Sequence, residues 1–285
     1  MRQSRIGFVM TRSVLITGCS SGIGYDAAVT LRARGWRVFA SCRQLVDCER
    51  LRAEGFDSPH LDYLDPQSIE SAVAEVLAAT GGTLDALYNN GAHGIPAAVE
   101  DLSRPAFNAI LEANLVGPHH LTILVIPVMR AQGHGRIVNC TSVMGYVALK
   151  WRGAYVATKF ALEGLTDTLR VELHGTGIHV SLIEPGLITT QFGKNSRLYF
   201  EKWVDWKSSA KAAEYDRELL QRWDGKNPVA KLEAPPSHVT KTIIHALESR
   251  RPRPRYRITK LAKLAYVLKR LLPTRATDWI IRRVS

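Results

Sequence analysis

Short apolar runs alternate with longer amphipathic segments over the first two thirds of the chain. Most of these runs end at glycine, serine, asparagine or proline, a pattern typical of buried parallel strands. Strands are predicted at residues 13–18, 36–41, 58–62, 84–90, 135–140 and 179–186. Helices are predicted at residues 22–33, 45–54, 66–80, 103–130 and 154–173, the fourth interrupted near Gly117 and Pro118.

This alternation predicts one α/β domain over residues 13–258, built as a doubly wound parallel sheet with helices on both faces. Residues 1–12 form an N-terminal extension, and residues 259–285 form a tail. Ligands of such sheets bind beyond the carboxyl ends of the strands. Those ends lie at Gly18, Ser41, Asn90, Ser142 and Pro185.

A glycine-rich turn, "TGCSSGIG" (residues 17–24), lies between the first strand and the first helix. Glycines there allow a tight turn and a close approach of the backbone to a pyrophosphate, which the helix N-terminus stabilises. The turn thus predicts a dinucleotide site. Its candidate contacts are Gly18, Ser20, Ser21, Gly22, Ile23 and Gly24.

The glycine spacing TGxxxGxG resembles that of the short-chain dehydrogenase/reductase family. The full sequence of the turn resembles that of the steroid and retinol dehydrogenase branch. Further motifs follow in the family's order up to residue 190. They are Asp62, Asn89-Asn90, Asn114, Ser142, Tyr155, Lys159 and "PGLITT" at 185–190. The resemblance implies a Rossmann-type fold, a nicotinamide cofactor and oxidoreductase activity.

The resemblance also implies roles for these residues. Asp62 and Asn90 would contact the cofactor, as would Pro185, Gly186, Ile188 and Thr190. Ser142 would hold the substrate oxygen, Tyr155 would transfer the proton, Lys159 would hold the nicotinamide ribose, and Asn114 would support a proton-relay water. The family's Ala-Gly is reversed here as Gly91-Ala92, and the following His93 is a pocket-lining residue or, alternatively, a proton carrier.

The motif Tyr-x-x-x-Lys occurs three times in the chain, starting at Tyr146, Tyr155 and Tyr256. Tyr155 and Lys159 lie in the first turns of a predicted long helix, where a spacing of four residues puts both side chains on one face. Too few residues surround Tyr146 to form a stable helix. The second copy is therefore the predicted catalytic pair, and an ammonium about 5 Å away is expected to lower the pKa of Tyr155 by roughly two units.

The end of the second strand bears on the choice of cofactor. NAD enzymes place an acid there to bind the ribose 2′-hydroxyl. This chain has Ser41, Cys42 and Arg43, with no acid before Asp47. Arg43 suits a 2′-phosphate, so NADP is predicted, with NAD possible and with a merely solvated Arg43 as the alternative.

Composition favours a cytoplasmic protein, with a peripheral position at a membrane as the alternative. The four cysteines are neither paired nor in CxxC spacing, which indicates buried thiols in a reducing compartment and no metal site. The apolar run at residues 6–10 is too short for a signal peptide. The charge-free run at residues 113–129 contains Asn114, two histidines and two prolines, and indicates a buried helix rather than a membrane span.

The formal net charge is +12, but its location excludes a nucleic-acid-binding domain. Twelve Lys and Arg and one acid, Asp278, follow residue 249, so the remainder is nearly neutral. Residues 259–273 form an amphipathic helix whose apolar stripe packs on the protein or a partner subunit, or lies on a membrane. The stripe comprises Leu261, Leu264, Ala265, Leu268, Leu271 and Leu272, opposite Lys260, Lys263 and Arg270.

Aromatic residues concentrate after Thr190 and indicate a lid at about residues 190–230 over an apolar pocket, or else ordinary core packing. The substrate is therefore expected to be a lipophilic alcohol or carbonyl compound. The leading hypothesis is an NADP-dependent oxidoreductase, and the family resemblance suggests a homo-oligomer. The alternatives are a cofactor-sensing regulator and a membrane-surface binding protein on the same fold.

Overall fold

The computed structural model describes residues 11–223 and 232–284 of the chain. At its centre lies one sheet of six strands in the order β2-β1-β3-β4-β5-β6, every neighbouring pair being parallel. The strands are β1 (Ser13–Ile16), β2 (Arg37–Ala40), β3 (Ala86–Asn89), β4 (Gly135–Cys140), β5 (Ile178–Glu184) and β6 (Arg255–Arg257).

Helices connect the strands and continue beyond the sheet. They are α1 (Gly22–Ala33), α2 (Leu45–Ala53), α3 (Pro66–Thr80), α4 (Arg104–Leu111), α5 (Gly117–Ala131), α6 (Gly153–Glu172), α7 (Phe192–Trp203), α8 (Ala212–Glu214), α9 (Gln221–Trp223), α10 (Pro236–Glu248), α11 (Lys260–Leu271) and α12 (Thr274–Val284). The bounds of α1, α3 and β4 coincide with the predicted ones. Pro66 at the first turn and Asp65, which caps α3 by accepting from the Gln67 amide, fix the start of α3.

Both faces of the sheet are covered, as predicted for a doubly wound fold. Successive side chains of a strand point to opposite faces. Accordingly, Val14 and Ile16 pack in the cluster beneath α1 and α10, whereas Leu15 packs in the cluster beneath α3 and α5. All four residues of β1 are buried, which explains the uninterrupted apolar run that predicted this strand.

The predicted strand at residues 58–62 is wrong. Only isolated bridges form there, Phe39 with Asp57 and Cys42 with His60. Pro59 lies between the bridged positions and has no amide hydrogen to donate to a ladder, so pairing does not propagate.

The predicted interruption of the helix at 103–130 is a π-helical turn at Glu112–Val116, just before Gly117. The combined helix, residues 104–131, is long and apolar enough by composition to cross a membrane. However, 44% of its most apolar stretch of 18 residues is buried inside the protein. Its α5 part packs on α3 and the sheet, so its apolar character is that of a core helix.

The C-terminal part is joined to the body by partly buried ion pairs. Arg255 in β6 pairs with Glu184, with Glu163 of α6 and with Asp167 of α6, and Arg257 also pairs with Glu184. These pairs fix β6 at the edge of the sheet, and α11 begins three residues later.

Residues 1–10 of the predicted extension and residues 224–230 of the predicted lid lie outside the described residues.

Candidate active site

The glycine turn adopts a conformation that requires glycine at two positions. Gly18 and Gly22 have φ angles of 69° and 61°, in the left-handed region. A Cβ on Gly18 would lie 2.8 Å from Cα of Gly91, and one on Gly24 would overlap the Gly18 carbonyl oxygen. The backbone of the turn thus packs directly on the backbone at Gly91, beside the start of α1. Because residue 91 is itself a glycine, Gly91-Ala92 permits this contact although the family's order is Ala-Gly.

The N-terminus of α1 fits a phosphate group. Within the described residues, the side chain of Ser21, the N-cap residue, makes no capping hydrogen bond, so the amides of the first turn, from Gly22 to Gly24, keep their donor capacity. Ser20 is held from the other side by Arg50, which donates to its carbonyl oxygen at 2.8 Å. The chemistry of this donor set suits the pyrophosphate of a dinucleotide.

A buried hydrogen-bond chain supports this turn from β3. The Thr17 hydroxyl lies 2.7 Å from the Tyr63 hydroxyl and accepts from the amides of Asn90 and Gly91. The Asn90 side chain donates to the carbonyl oxygen of Thr17 at 3.0 Å. Asn90 therefore fixes the turn rather than facing outward. Thr17 and Tyr63 were missed as supporting residues, although Thr17 begins the motif itself.

Ser142 and Tyr155 meet beyond the end of β4. Ser142 accepts from the Met144 amide at 3.1 Å and interacts with the Tyr155 hydroxyl. Thr141, the competing hydroxyl, instead donates to the carbonyl oxygen of Ile183 inside the sheet. Ser142 is therefore the hydroxyl that stands beside Tyr155.

Lys159 lies on the same face of α6, one turn after Tyr155. Its Nζ is 5.5 Å from the Tyr155 ring centroid and donates to the Cys140 carbonyl oxygen at 2.8 Å. The expected lowering of the tyrosine pKa is not seen. Burial raises the pKa of Tyr155 and lowers that of Lys159, because both charged forms lose solvation in this site.

Asn114 lies in the π-helical turn and is buried. Its side chain accepts from the His93 amide at 3.0 Å, and donates to the His93 carbonyl oxygen at 2.8 Å and to the Thr158 hydroxyl at 3.3 Å. It therefore joins the loop after β3 to α6, the helix of Tyr155. A π turn at a functional residue is a frequent arrangement.

The other two Tyr–Lys copies have different partners. The Tyr146 hydroxyl donates to the Ala262 carbonyl oxygen in α11, while Lys150 pairs with Glu214 and Glu218. Tyr256 lies in β6, where its hydroxyl is 2.8 Å from Nδ1 of His245. The choice of the second copy as the catalytic pair stays a prediction.

The loop after β5 closes one side of the site. The Pro185 carbonyl oxygen accepts from the Val143 amide, next to Ser142. A Cβ on Gly22 would lie 3.0 Å from Cγ2 of Thr190, so this loop reaches the glycine turn. Ile188 packs against the core under α1, and Gly186 abuts Thr259.

Arg43 contacts a residue that the sequence did not indicate. Its guanidinium donates to the hydroxyl of Tyr199 in α7, whose ring stacks on His93 at a centroid distance of 3.8 Å. The carboxylate of Asp62 accepts from the Leu64 amide in its own loop. Tyr199 thus connects the predicted 2′-phosphate ligand to the loop held by Asn114.

His93 is buried, and its Nε2 has no hydrogen-bond partner within the described residues. Burial and the charges of Arg43, Lys159 and Lys202 lower its pKa to about 4. It is therefore neutral at pH 7, which favours the pocket-lining role over that of a proton carrier.

The aromatic residues after Thr190 form a cluster that includes Tyr155. Phe192 contacts Tyr155 edge-to-face at 5.3 Å, and Phe200 and Tyr215 belong to the same buried cluster. Phe192 thus lies against Tyr155, and the aromatic residues behind it form a core. The lid stays a prediction.

No group of three His, Cys, Asp or Glu able to hold a metal occurs among residues 11–223 and 232–284. The four cysteines are buried free thiols, and burial raises the pKa of Cys42 to about 12. Such thiols are unreactive at neutral pH.

Comparisons with known proteins identify the family. The family model described as short chain dehydrogenase matches residues 12–199. The uncharacterized oxidoreductase YbbO of Escherichia coli is 40% identical over 97% of this chain and 96% of its own length. Human retinol dehydrogenase 5 is 32% identical over 94% of this chain and 87% of its own.

Among solved structures, a variant of actinorhodin polyketide ketoreductase with NADPH is similar, with a TM-score of 0.67 and 27% identity over 84% of this chain and 91% of its own. Together with the glycine turn, these similarities indicate a nicotinamide nucleotide cofactor and a small-molecule substrate. The chain belongs to the short-chain dehydrogenase/reductase family and is an oxidoreductase that acts on CH–OH groups.

Proposed function

We propose that this protein is an NADP-dependent oxidoreductase that interconverts a lipophilic alcohol and its ketone or aldehyde. The observation that carries the proposal is the placement of Ser142, Tyr155 and Lys159 around one point beyond the end of β4. The nicotinamide, when bound, supplies or accepts the hydride.

The protein's own residues perform the proton chemistry. Ser142 donates a hydrogen bond to the substrate oxygen and so orients the C=O or C–OH bond. Tyr155 gives its phenolic proton to that oxygen during reduction and takes it back during oxidation. Lys159 holds the nicotinamide ribose and places a positive charge near the phenol, and Asn114 supports the proton-relay water.

Arg43 supports NADP as the cofactor. It stands at the end of β2, where NAD enzymes have an acid, and its guanidinium can form bidentate bonds with a 2′-phosphate. Gly18, Ser20, Ser21, Gly22, Ile23 and Gly24 bind the pyrophosphate; Asp62, Asn90, Pro185, Gly186, Ile188 and Thr190 complete the site.

A lipophilic substrate is supported by the cover of the site and by a relative. Phe192 and Tyr199 of α7 lie over Tyr155 and His93, so the walls around the reacting oxygen are largely aromatic. The similarity to a retinol dehydrogenase favours a retinoid, steroid or long-chain aldehyde over a sugar.

A panel of lipophilic and hydrophilic carbonyl compounds tests this function by following NADPH absorbance. Turnover with at least one steroid, retinoid or long-chain aldehyde is expected, with a kcat/KM at least tenfold above that of sugars, because apolar surface is buried on binding. Tight NADPH binding without turnover of any lipophilic compound would favour the cofactor-sensing alternative instead.

We also propose a cytoplasmic protein that pairs with a second copy through α5 and α6. These helices expose the apolar side chains of Ile123, Phe160, Leu165 and Val171, which a second copy would cover. Light scattering should give twice the chain mass. Val171→Asp together with Phe160→Asp should give monomers, and a wild-type monomer would contradict the pairing.

A further inference from the structure

The C-terminal helices α11 and α12 present an apolar face to solvent. Leu261, Leu264 and Leu271 are 49%, 54% and 75% exposed, and they recur at the three- and four-residue spacing of one helix face. Val267 of α11 and Trp279 of α12 are 47% and 58% exposed. Three of the six stripe residues thus face solvent, whereas Ala265, Leu268 and Leu272 are half-buried. The stripe therefore only partly covers the body of the protein.

A different face of α11 attaches it to the body. Ala262 is fully buried, and its carbonyl oxygen accepts from the Tyr146 hydroxyl at 2.9 Å. Tyr266, one turn later, packs edge-to-face on Tyr146 and lies under the guanidinium of Arg257. Thr259 caps the helix at the Ala262 amide. These contacts fix the rotation of α11, so Leu261, Leu264 and Leu271 are held outward by specific bonds.

The exposed face is strongly basic. Residues 259–285 carry seven cations and one acid, Asp278. The cations are Lys260, Lys263, Lys269, Arg270, Arg275, Arg282 and Arg283. All seven are exposed, and no ion pair to any of them occurs in the described part of the chain. By contrast, Arg255 and Arg257 are paired with buried acids and contribute nothing to this face.

The exposed leucines and the surrounding cations together indicate which partner this face binds. Lys263 and Arg270 lie on one side of the leucine stripe and Lys269 on the other, as in helices that lie in a membrane interface with their cations at the headgroups. Trp279 suits the same boundary, since an indole is apolar over most of its surface but has one polar N–H. A second copy would bring like charges together, and a nucleic acid would leave the leucines in water.

We propose that α11 and α12 form a docking face for an anionic lipid surface. The face is joined to the active site at two points: Tyr146 follows the Ser142 loop, and Thr259 abuts Gly186 in the loop after β5. Docking therefore holds this side of the site close to the bilayer. This last step rests on the proposed function: a substrate dissolved in the lipid reaches Tyr155 without crossing water.

Sedimentation of the full-length protein with vesicles tests the docking. Binding is expected to vesicles of equal parts phosphatidylcholine and phosphatidylglycerol, to be weak with phosphatidylcholine alone, and to fall as salt is added. Leu261→Asp with Leu264→Asp should weaken binding at least tenfold. The matched control, Leu45→Asp with Val46→Asp, adds the same charge to a somewhat more exposed site on α2 and should bind as wild type.

Thermal melts and turnover of a water-soluble carbonyl compound should be unchanged in the Leu261/Leu264 variant, because both side chains lie outside the core and the site. Equal loss of binding in both variants, or none in either, would overturn the proposal. A change of mass in light scattering with unchanged vesicle binding would assign the face to a second copy. Absence of turnover with all carbonyl compounds would contradict the proposed function. It would not affect the conclusion on lipid docking, which the vesicle experiment decides separately.

Discussion

Tyr155→Phe is expected to lower kcat by about 10³-fold while NADPH still binds, and Tyr146→Phe is expected to leave most of the activity. A positioned acid or base contributes roughly 10²–10⁴-fold. Tyr155 is the tyrosine beside Ser142 and Lys159, and its ring also supports the cover through Phe192. Phenylalanine preserves that packing and removes only the proton carrier.

Tyr146→Phe is a matched control because it removes the same atom from a tyrosine in the neighbouring loop. Its hydroxyl donates to Ala262, so the loss falls on the attachment of α11, at about 1 kcal/mol of stability. Steady-state kinetics and NADPH fluorescence titrations on both variants measure the difference. Similar losses of kcat from the two substitutions would show that the catalytic pair has been misassigned.

The same tyrosine sets the pH dependence. Burial raises the pKa of Tyr155, so the protonated form predominates through neutral pH. Reduction uses this protonated form, and its kcat should therefore stay level from about pH 6 to 8, whereas oxidation needs the phenolate and should rise with pH. A fall of the reduction rate between these values would mean that another group, with a lower pKa, donates the proton.

The sequence predicted those elements whose signals are local. The run before Gly18 and the Pro66 start of α3 are each decided by neighbouring residues, and both elements form as expected. The segment at 58–62 has strand-like composition, yet its pairing depends on a distant strand edge and is broken at Pro59. Composition alone carries no information on that ladder.

The candidate site likewise has features that follow from local sequence and features that depend on distant contacts. Spacing within one helix predicted that Tyr155 and Lys159 lie close together, because an interval of four residues puts both side chains on one face. Contacts between distant segments were not predictable: Tyr199 reaches Arg43 across 156 residues, and Asn114 holds the main chain of His93. The periodicity of the tail gave its apolar stripe but not its direction, which the contacts of Ala262 and Tyr266 decide.

NADPH is expected to be preferred over NADH, and Arg43→Asp is expected to reverse that order. A hydrogen bond between a guanidinium and a phosphate contributes about 1.5–3 kcal/mol, so the loss of one bond shifts the ratio of kcat/KM at least tenfold. The new carboxylate adds repulsion of the 2′-phosphate and offers an acceptor for the 2′-hydroxyl of NADH. Both effects move the preference in the same direction.

Two controls separate this role from the contacts that Arg43 makes within the protein. Tyr199→Phe removes the hydroxyl bonded to Arg43 but leaves the guanidinium, so NADPH should remain preferred. Arg130→Asp makes the same change of charge at an exposed position at the end of α5 and should leave the ratio unaltered. The kcat/KM values for both cofactors on wild type and the three variants decide the matter. If wild type prefers NADH, or if Tyr199→Phe abolishes the preference as fully as Arg43→Asp, Arg43 is a support for the lid and not the residue that selects the cofactor.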